Sequence, residues 1–230
     1  MAWADVDALD AAIDPEVVAA VLLEPVQGEG GVNPATADYF QSVRRLCDER
    51  GVLMMVDEVQ TGLGRTGKWF GFQHFGVQPD VVTMAKALGN GVPIGACWAR
   101  RDVADAFQPG DHATTFGGQP LAAAAARATL AVMEAEDAPA RADAAGQRLR
   151  KGLESLPDVR AVRGLGLLLA AVVPAGTAKA VASSALGRGL VVNPVSDDAV
   201  RLAPSLLVTD DEIDGAVGIL ADALAEVATQ

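Results

Sequence analysis

The chain has 230 residues, room for one large domain or for a medium domain with a small one. Half of the residues are apolar and 21% are charged, with 24 glycines and 12 prolines spread along the chain, a composition that excludes disorder and low complexity. Subtracting 30 acidic from 18 basic residues leaves a formal charge of -12, the wrong sign for a phosphate-binding surface, so nucleic acid is not an expected partner.

In chain order, Asp5, Asp7, Asp10, Asp14 and Glu16 stand where a secretory leader would need a basic start and an apolar run, so the expected location is the cytoplasm. Val18 to Leu23 is an apolar run stopped by Glu24-Pro25, the pattern of a strand covered on both faces. A Gly-rich loop, Gln27 to Val32, follows. Tyr39, Phe40, Val43, Leu46 and Cys47 recur at helical spacing and Gly51 ends the helix. Val52 to Val56 is the next strand and delivers Asp57-Glu58-Val59-Gln60 to its end. Two apolar strands joined by a helix predict a parallel sheet with ligands at the carboxyl ends of its strands.

Val81 to Met84 is predicted as a third strand, running into Lys86, and Ile94 to Ala99 as a fourth. Helices are expected from Pro120 to Glu136 and from about Pro139 to Leu156, forming a bridge to a second domain. Beyond Arg163 the pattern predicts strands at Leu165 to Val173, Gly189 to Val192 and Val200 to Ala203, with a helix over Ala178 to Leu186. The stretch from Leu165 ends at Pro174, far too short to cross a bilayer, so no membrane partner is expected. Thr209 to Glu212 is a capping box for a last helix striped by Ile213, Val217, Leu220 and Leu224. The expected organisation is an α/β domain over residues 1-137 and a small α+β domain over 138-230. Cys47 and Cys97 are expected as free, buried thiols, and with only His74 and His112 available no metal site is expected.

Gly62-Leu63-Gly64-Arg65-Thr66-Gly67 matches the glycine spacing of a dinucleotide-binding loop, but Lys68-Trp69-Phe70-Gly71-Phe72 follows where a helix should open. A loop lined with aromatics is the better reading. Asp57 alone is an ordinary strand-end carboxylate. Period-two geometry puts it on one face with Val59, so a flat ring on Val59 would meet the Asp57 carboxylate at its edge. Lys86, between Ala85 and Ala87 just past an apolar strand, is awkwardly placed for a solvated charge and well placed for a lysine that bonds an aldehyde. Acid, flat apolar platform and sheltered lysine are the minimum parts of a pyridoxal phosphate site.

Five stretches carry a wider resemblance: Glu24 to Val32, Val56 to Gly67, Pro79 to Gly89, Thr115 to Pro120, and Val200 to Pro204. In this order they resemble the motifs of the class-III pyridoxal-phosphate-dependent aminotransferases, closest to the acetylornithine and ornithine branch, with the chain matching the C-terminal half. The resemblance implies a fold-type-I transferase with an incomplete, parallel-rich large domain and a small C-terminal α+β domain. It implies pyridoxal 5'-phosphate as cofactor, with Lys86 holding it covalently and Asp57 facing the ring nitrogen. Glu58, Val59 and Gln60 then belong to the cofactor-binding set, Val59 against the ring face and Gln60 near the ring hydroxyl. Thr115 would reach the cofactor phosphate of a neighbouring subunit in a homodimer, and Thr114 would lie near the substrate. Glu29 and Arg201 match a pair in which the arginine grips the α-carboxylate of glutamate or 2-oxoglutarate and the glutamate masks it for ω-amino substrates. Without the resemblance, Thr114 and Thr115 read as a polar turn, Glu29 as a loop residue and Arg201 as a surface residue. The implied reaction moves an amino group between N-acetylornithine, or a related ω-amine such as ornithine, and 2-oxoglutarate, as in arginine biosynthesis. A catalytically silent fragment is the alternative.

Overall fold

A computed structural model describes residues 3-229. Met1, Ala2 and Gln230, at the outer ends of the two expected domains, lie outside the described residues. In chain order the elements are α1 (Val6–Ala12), β1 (Ala20–Leu23), β2 (Val26–Gln27), β3 (Asn33–Pro34), α2 (Ala37–Arg50), β4 (Leu53–Asp57), β5 (Val81–Met84), β6 (Ala96–Ala99), α3 (Arg101–Ala104), α4 (Pro120–Ala135) and α5 (Ala138–Glu154). Then follow β7 (Ala161–Leu165), β8 (Leu168–Val172), α6 (Ala178–Gly187), β9 (Asn193–Ser196), β10 (Ala199–Leu202) and α7 (Asp210–Ala228), with short 3-10 turns at Gly71–His74 and Lys86–Leu88. Contacts divide the chain into two compact units, one of residues 3-25, 35-63 and 70-135, the other of 26-34, 64-69 and 136-229. The second unit is therefore assembled from three stretches of chain, two of them embedded in the sequence of the first.

The first unit is a four-stranded sheet in the order β1-β4-β5-β6, with β1, β4 and β5 parallel and β6 antiparallel to β5. Helix α2 starts where the Thr36 hydroxyl accepts the Tyr39 N–H at 3.1 Å and stops at Gly51, whose φ of 67° suits a residue without Cβ. Its stripe of Phe40, Val43 and Cys47 packs with Met54 and Val56 of β4 and Val82 of β5 in one core. A buried Asp80 ties these elements, accepting Met54 N–H at 2.7 Å and the Arg44 guanidinium at 2.9 Å. The other face is open in part. On it Leu22, Met55 and Val81 pair in one row and Asp57, Thr83 and Cys97 in the next, and there Leu22 and Cys97 are exposed. Two expectations are thereby corrected: the strands are not covered on both faces, and Cys97 is not buried. Cys47 is buried, and burial pushes its thiol up to about 11, which keeps it protonated near neutrality.

The second unit holds an antiparallel sheet in the order β7-β8-β10-β9. Alternation splits its residues cleanly: Leu167, Leu169, Ala171, Val200 and Leu202 meet α5, α6 and α7, while Leu168, Ala170 and Ala199 meet Val26 and Val32 of the β2-β3 ribbon. The capping box of α7 forms as expected, Thr209 N–H donating to Glu212 at 2.8 Å. The strand expected over Leu165 to Val173 is instead the turn and second arm of a hairpin. Gly166, at φ 53°, makes the turn, and a Cβ there would lie 2.4 Å from the Thr66 carbonyl carbon. The strand expected at Gly189 to Val192 begins later, at Asn193, because Gly189 at φ 88° closes α6 and Leu190 N–H is taken by Ala185 O at 2.9 Å. Among the described residues no helix is long and apolar enough to cross a membrane.

Candidate active site

The three parallel strands of the first unit point their carboxyl ends the same way, and β4, the middle one, ends at Asp57. Asp57 pairs in register with Thr83 of β5, and Glu58 N–H continues the ladder to Thr83 O at 3.0 Å. Asp57 Oδ1 accepts the Val59 N–H at 2.9 Å, a local turn that sets the direction of the carboxylate. Among the described residues Oδ2 has no partner. One oxygen serves to position the group and the other is open to a ligand N–H. Val59 and Gln60 follow, both half-buried, and the Gln60 amide is free among the described residues.

Lys86 stands at the carboxyl end of the neighbouring strand β5. It opens the 3-10 turn with φ 41°, a left-handed value that costs a residue with Cβ about 1 kcal/mol. Its side chain is exposed and has no ion pair or hydrogen bond among the described residues. The expectation of a sheltered lysine is corrected here: Lys86 is exposed, Ala85 and Ala87 being too small to wall it in. Thr114 and Thr115 lie on an exposed stretch, where the Thr114 hydroxyl accepts Gly117 N–H at 3.1 Å and Thr115 has no side-chain partner among the described residues.

Glu58, expected among the cofactor-binding residues, has its carboxylate inside the unit. It is 1% exposed and accepts the Thr61 hydroxyl, Gly71 N–H at 3.0 Å and Phe72 N–H at 2.8 Å. What it holds is the turn at Gly71–His74. Burial is the largest influence on this carboxyl and raises its pKa against the three donors, with Asp57 adding to the rise. Glu58→Ala would strand two buried N–H groups and is expected to cost roughly 2–3 kcal/mol in urea unfolding. Because the folded chain keeps a proton here that the unfolded chain has lost, this group's contribution to stability declines as pH rises from the ordinary glutamate range to the raised value, then levels off. Glu58→Gln should remove that slope, and an unchanged slope would show that another group produces it.

In the second unit the structure joins two residues that sequence alone leaves 172 positions apart: Arg201 Nη1 donates to Glu29 Oε1 at 2.7 Å. Arg201 comes from β10, with its side chain 10% exposed, and Glu29 from the tip of the β2-β3 ribbon, with its side chain 77% exposed. A pair of this kind binds weakly, since water competes for the carboxylate, and a better-placed carboxylate could displace it. Arg65, read from sequence only as part of a Gly-rich loop, has a structural task nearby. Its Nη1 donates to Leu167 O at 3.1 Å and to Pro204 O at 2.6 Å, just beyond β10. Burial pushes this guanidinium down to about 10. Its only sequence signal was a cation set between Gly64 and Thr66 in a stretch otherwise free of charge.

Comparison with known proteins shows the family of the chain. The aminotransferase class-III family model matches residues 2–224. The acetylornithine aminotransferase of Corynebacterium efficiens is 49% identical over 229 residues, covering 98% of this chain and 56% of the relative. That of Caldanaerobacter subterraneus subsp. tengcongensis is 47% identical over 227 residues, covering 97% and 57%. Among solved structures, the ornithine aminotransferase of Toxoplasma gondii, described with partial occupancy of PLP at its active site, superposes with a TM-score of 0.92 at 37% identity, covering 100% of this chain and 56% of its own. The N-acetylornithine aminotransferase of Stenotrophomonas maltophilia superposes with a TM-score of 0.90 at 39% identity, covering 100% and 63%. The chain thus spans little more than half the length of the curated relatives it matches. Its mixed sheet, parallel through β1, β4 and β5, is part of a fold-type-I transferase. With nearly its whole length matched, the chain belongs to the class-III aminotransferases, a family that works with pyridoxal phosphate.

Proposed function

We propose that this chain carries the lysine, acid and carboxylate-binding machinery of an aminotransferase that exchanges an amino group between N-acetylornithine, or a related ω-amine, and 2-oxoglutarate, a step of arginine biosynthesis. The observation that carries the reading is the Glu29–Arg201 pair, a guanidinium able to hold a carboxylate under a carboxylate able to let go. The polar groups of the first unit fit pyridoxal phosphate: a carboxylate oxygen on Asp57, an amide on Gln60 and an amine on Lys86, all without partners among the described residues. When bound, the cofactor supplies a protonated ring that withdraws electrons from the amine carbon of the substrate. Asp57 Oδ2 would accept the ring N–H and keep that nitrogen protonated, with Val59 and Gln60 completing the set of residues that would hold the ring. Lys86 would hold the cofactor covalently, and its amine, when free, would take the proton from the substrate carbon and return one as general base and acid. Arg201 holds the α-carboxylate of 2-oxoglutarate or glutamate, and Glu29 covers Arg201 when the ω-amine is bound. Thr114 lies toward the substrate. The exposed Thr115, with no side-chain partner among the described residues, suits a phosphate ligand given to the neighbouring subunit of a homodimer.

Glutamate formation from N-acetylornithine and 2-oxoglutarate, with pyridoxal phosphate added to the purified chain, tests this directly. Saturable production of glutamate is expected, and faster turnover with ornithine would move the assignment to the other branch. A second reading is favoured by a specific observation: in the first unit Leu22, Trp98, Phe107, Phe116 and Leu121 are exposed apolar side chains. On this reading the 230 residues are silent by themselves and turn over only together with a polypeptide supplying the rest of the family's length. Activity that appears only on such co-expression would select it.

A further inference from the structure

The sheet of the second unit sets two arginines in one row. Arg163 of β7 and Arg201 of β10 both pair in register with Ala170 of β8, so the three side chains share a face, with the smallest in the middle. That face is the one under the β2-β3 ribbon, since Leu168, Ala170 and Ala199 pack there with Val26 and Val32. The ribbon's tip is bracketed by the two guanidiniums. Arg201 holds Glu29, and Arg163 Nη2 lies 3.4 Å from where a Cβ on Gly31 would be, two residues along the same tip. Arg163 makes no ion pair among the described residues, and its buried Nε has no hydrogen-bond partner. A half-buried arginine whose buried Nε is unpartnered is costly unless its charge is met by a carboxylate.

We infer that Arg163 is the second station of the Glu29 carboxylate: Glu29 rests on Arg201 when that guanidinium is empty and swings at the ribbon tip to Arg163 when an incoming α-carboxylate takes Arg201. This rests on the substrate reading above and adds to it the residue that receives the displaced charge. Arg163 is a positioning residue, acting on the substrate only through Glu29. Its contribution falls on the dicarboxylate, because for an ω-amine without a carboxylate at Arg201 the gate stays shut.

Two measurements on the full chain decide it. In a crystal structure of Arg201→Met the Glu29 carboxylate should be hydrogen-bonded to Arg163; a carboxylate left in solvent beside an unbonded Arg163 would overturn the proposal. In titrations with 2-oxoglutarate, Arg163→Met should weaken binding about five- to tenfold when Glu29 is present and less than about twofold in a Glu29→Gln background, the coupling expected of two groups that meet. Arg163→Lys, which keeps the charge, should restore most of the loss. Equal weakening in both backgrounds would overturn the second station. Unchanged 2-oxoglutarate affinity in Arg201→Met would overturn the substrate reading instead, and the crystal structure of that variant would still decide where Glu29 goes.

Discussion

Replacing Lys86 with alanine is expected to lower transamination by about 10²–10⁴-fold, the contribution of a positioned general acid and base. On the function proposed above the loss should fall on turnover, because Asp57 and Arg201 would remain to bind cofactor and substrate. Stability should change little: the Lys86 side chain is exposed and bonds to nothing among the described residues, and alanine at φ 41° carries the same strain. Single-turnover kinetics with a matched unfolding curve would check both halves. An active Lys86→Ala chain would mean that another amine moves the proton.

Arg201→Ala should weaken 2-oxoglutarate and glutamate binding by roughly 1.5–3 kcal/mol, the range for hydrogen bonds to a charged group, or about 10- to 150-fold in the dissociation constant. The N-acetylornithine half-reaction should lose much less, since Glu29 already occupies Arg201 when no α-carboxylate is present there. Half-reactions followed separately give the ratio. Equal losses in both would leave Arg201 with a supporting role in β10 and remove the gate.

Local chemistry made part of this structure readable in advance. The stripe and terminal glycine of α2, the apolar approach to Asp57 in β4 and the capping box of α7 each depend on residues within one or two turns of one another, and each is formed. The hairpin at Gly166 was hidden because its turn sits inside a run of leucines and alanines whose pattern does not change across it. Residues 26-34 and 64-69 join the second unit through contacts far along the chain, which no window of sequence displays. The same holds within the site. Asp57 and Lys86 could be read from strand ends, but the Glu29–Arg201 pair was expected only through a family resemblance, since each residue alone looks like a solvated surface charge. Glu58 shows the opposite limit: its neighbours in sequence suggest a ligand contact, while its carboxylate is spent on Gly71 and Phe72, which no spacing rule foretells. Arg163 is equally silent in sequence, and only the register with Ala170 shows that it shares a row with Arg201.

The most direct measurement is borohydride reduction of the chain in the presence of pyridoxal phosphate, followed by peptide mapping. The sequence offers four lysines, Lys68, Lys86, Lys151 and Lys179, so the outcome is a choice among named residues. Saturable labelling of Lys86, lost in Lys86→Ala and weakened in Asp57→Ala, is the predicted result. A label fixed on Lys68, Lys151 or Lys179 instead would contradict the assignment of the site to the carboxyl ends of β4 and β5.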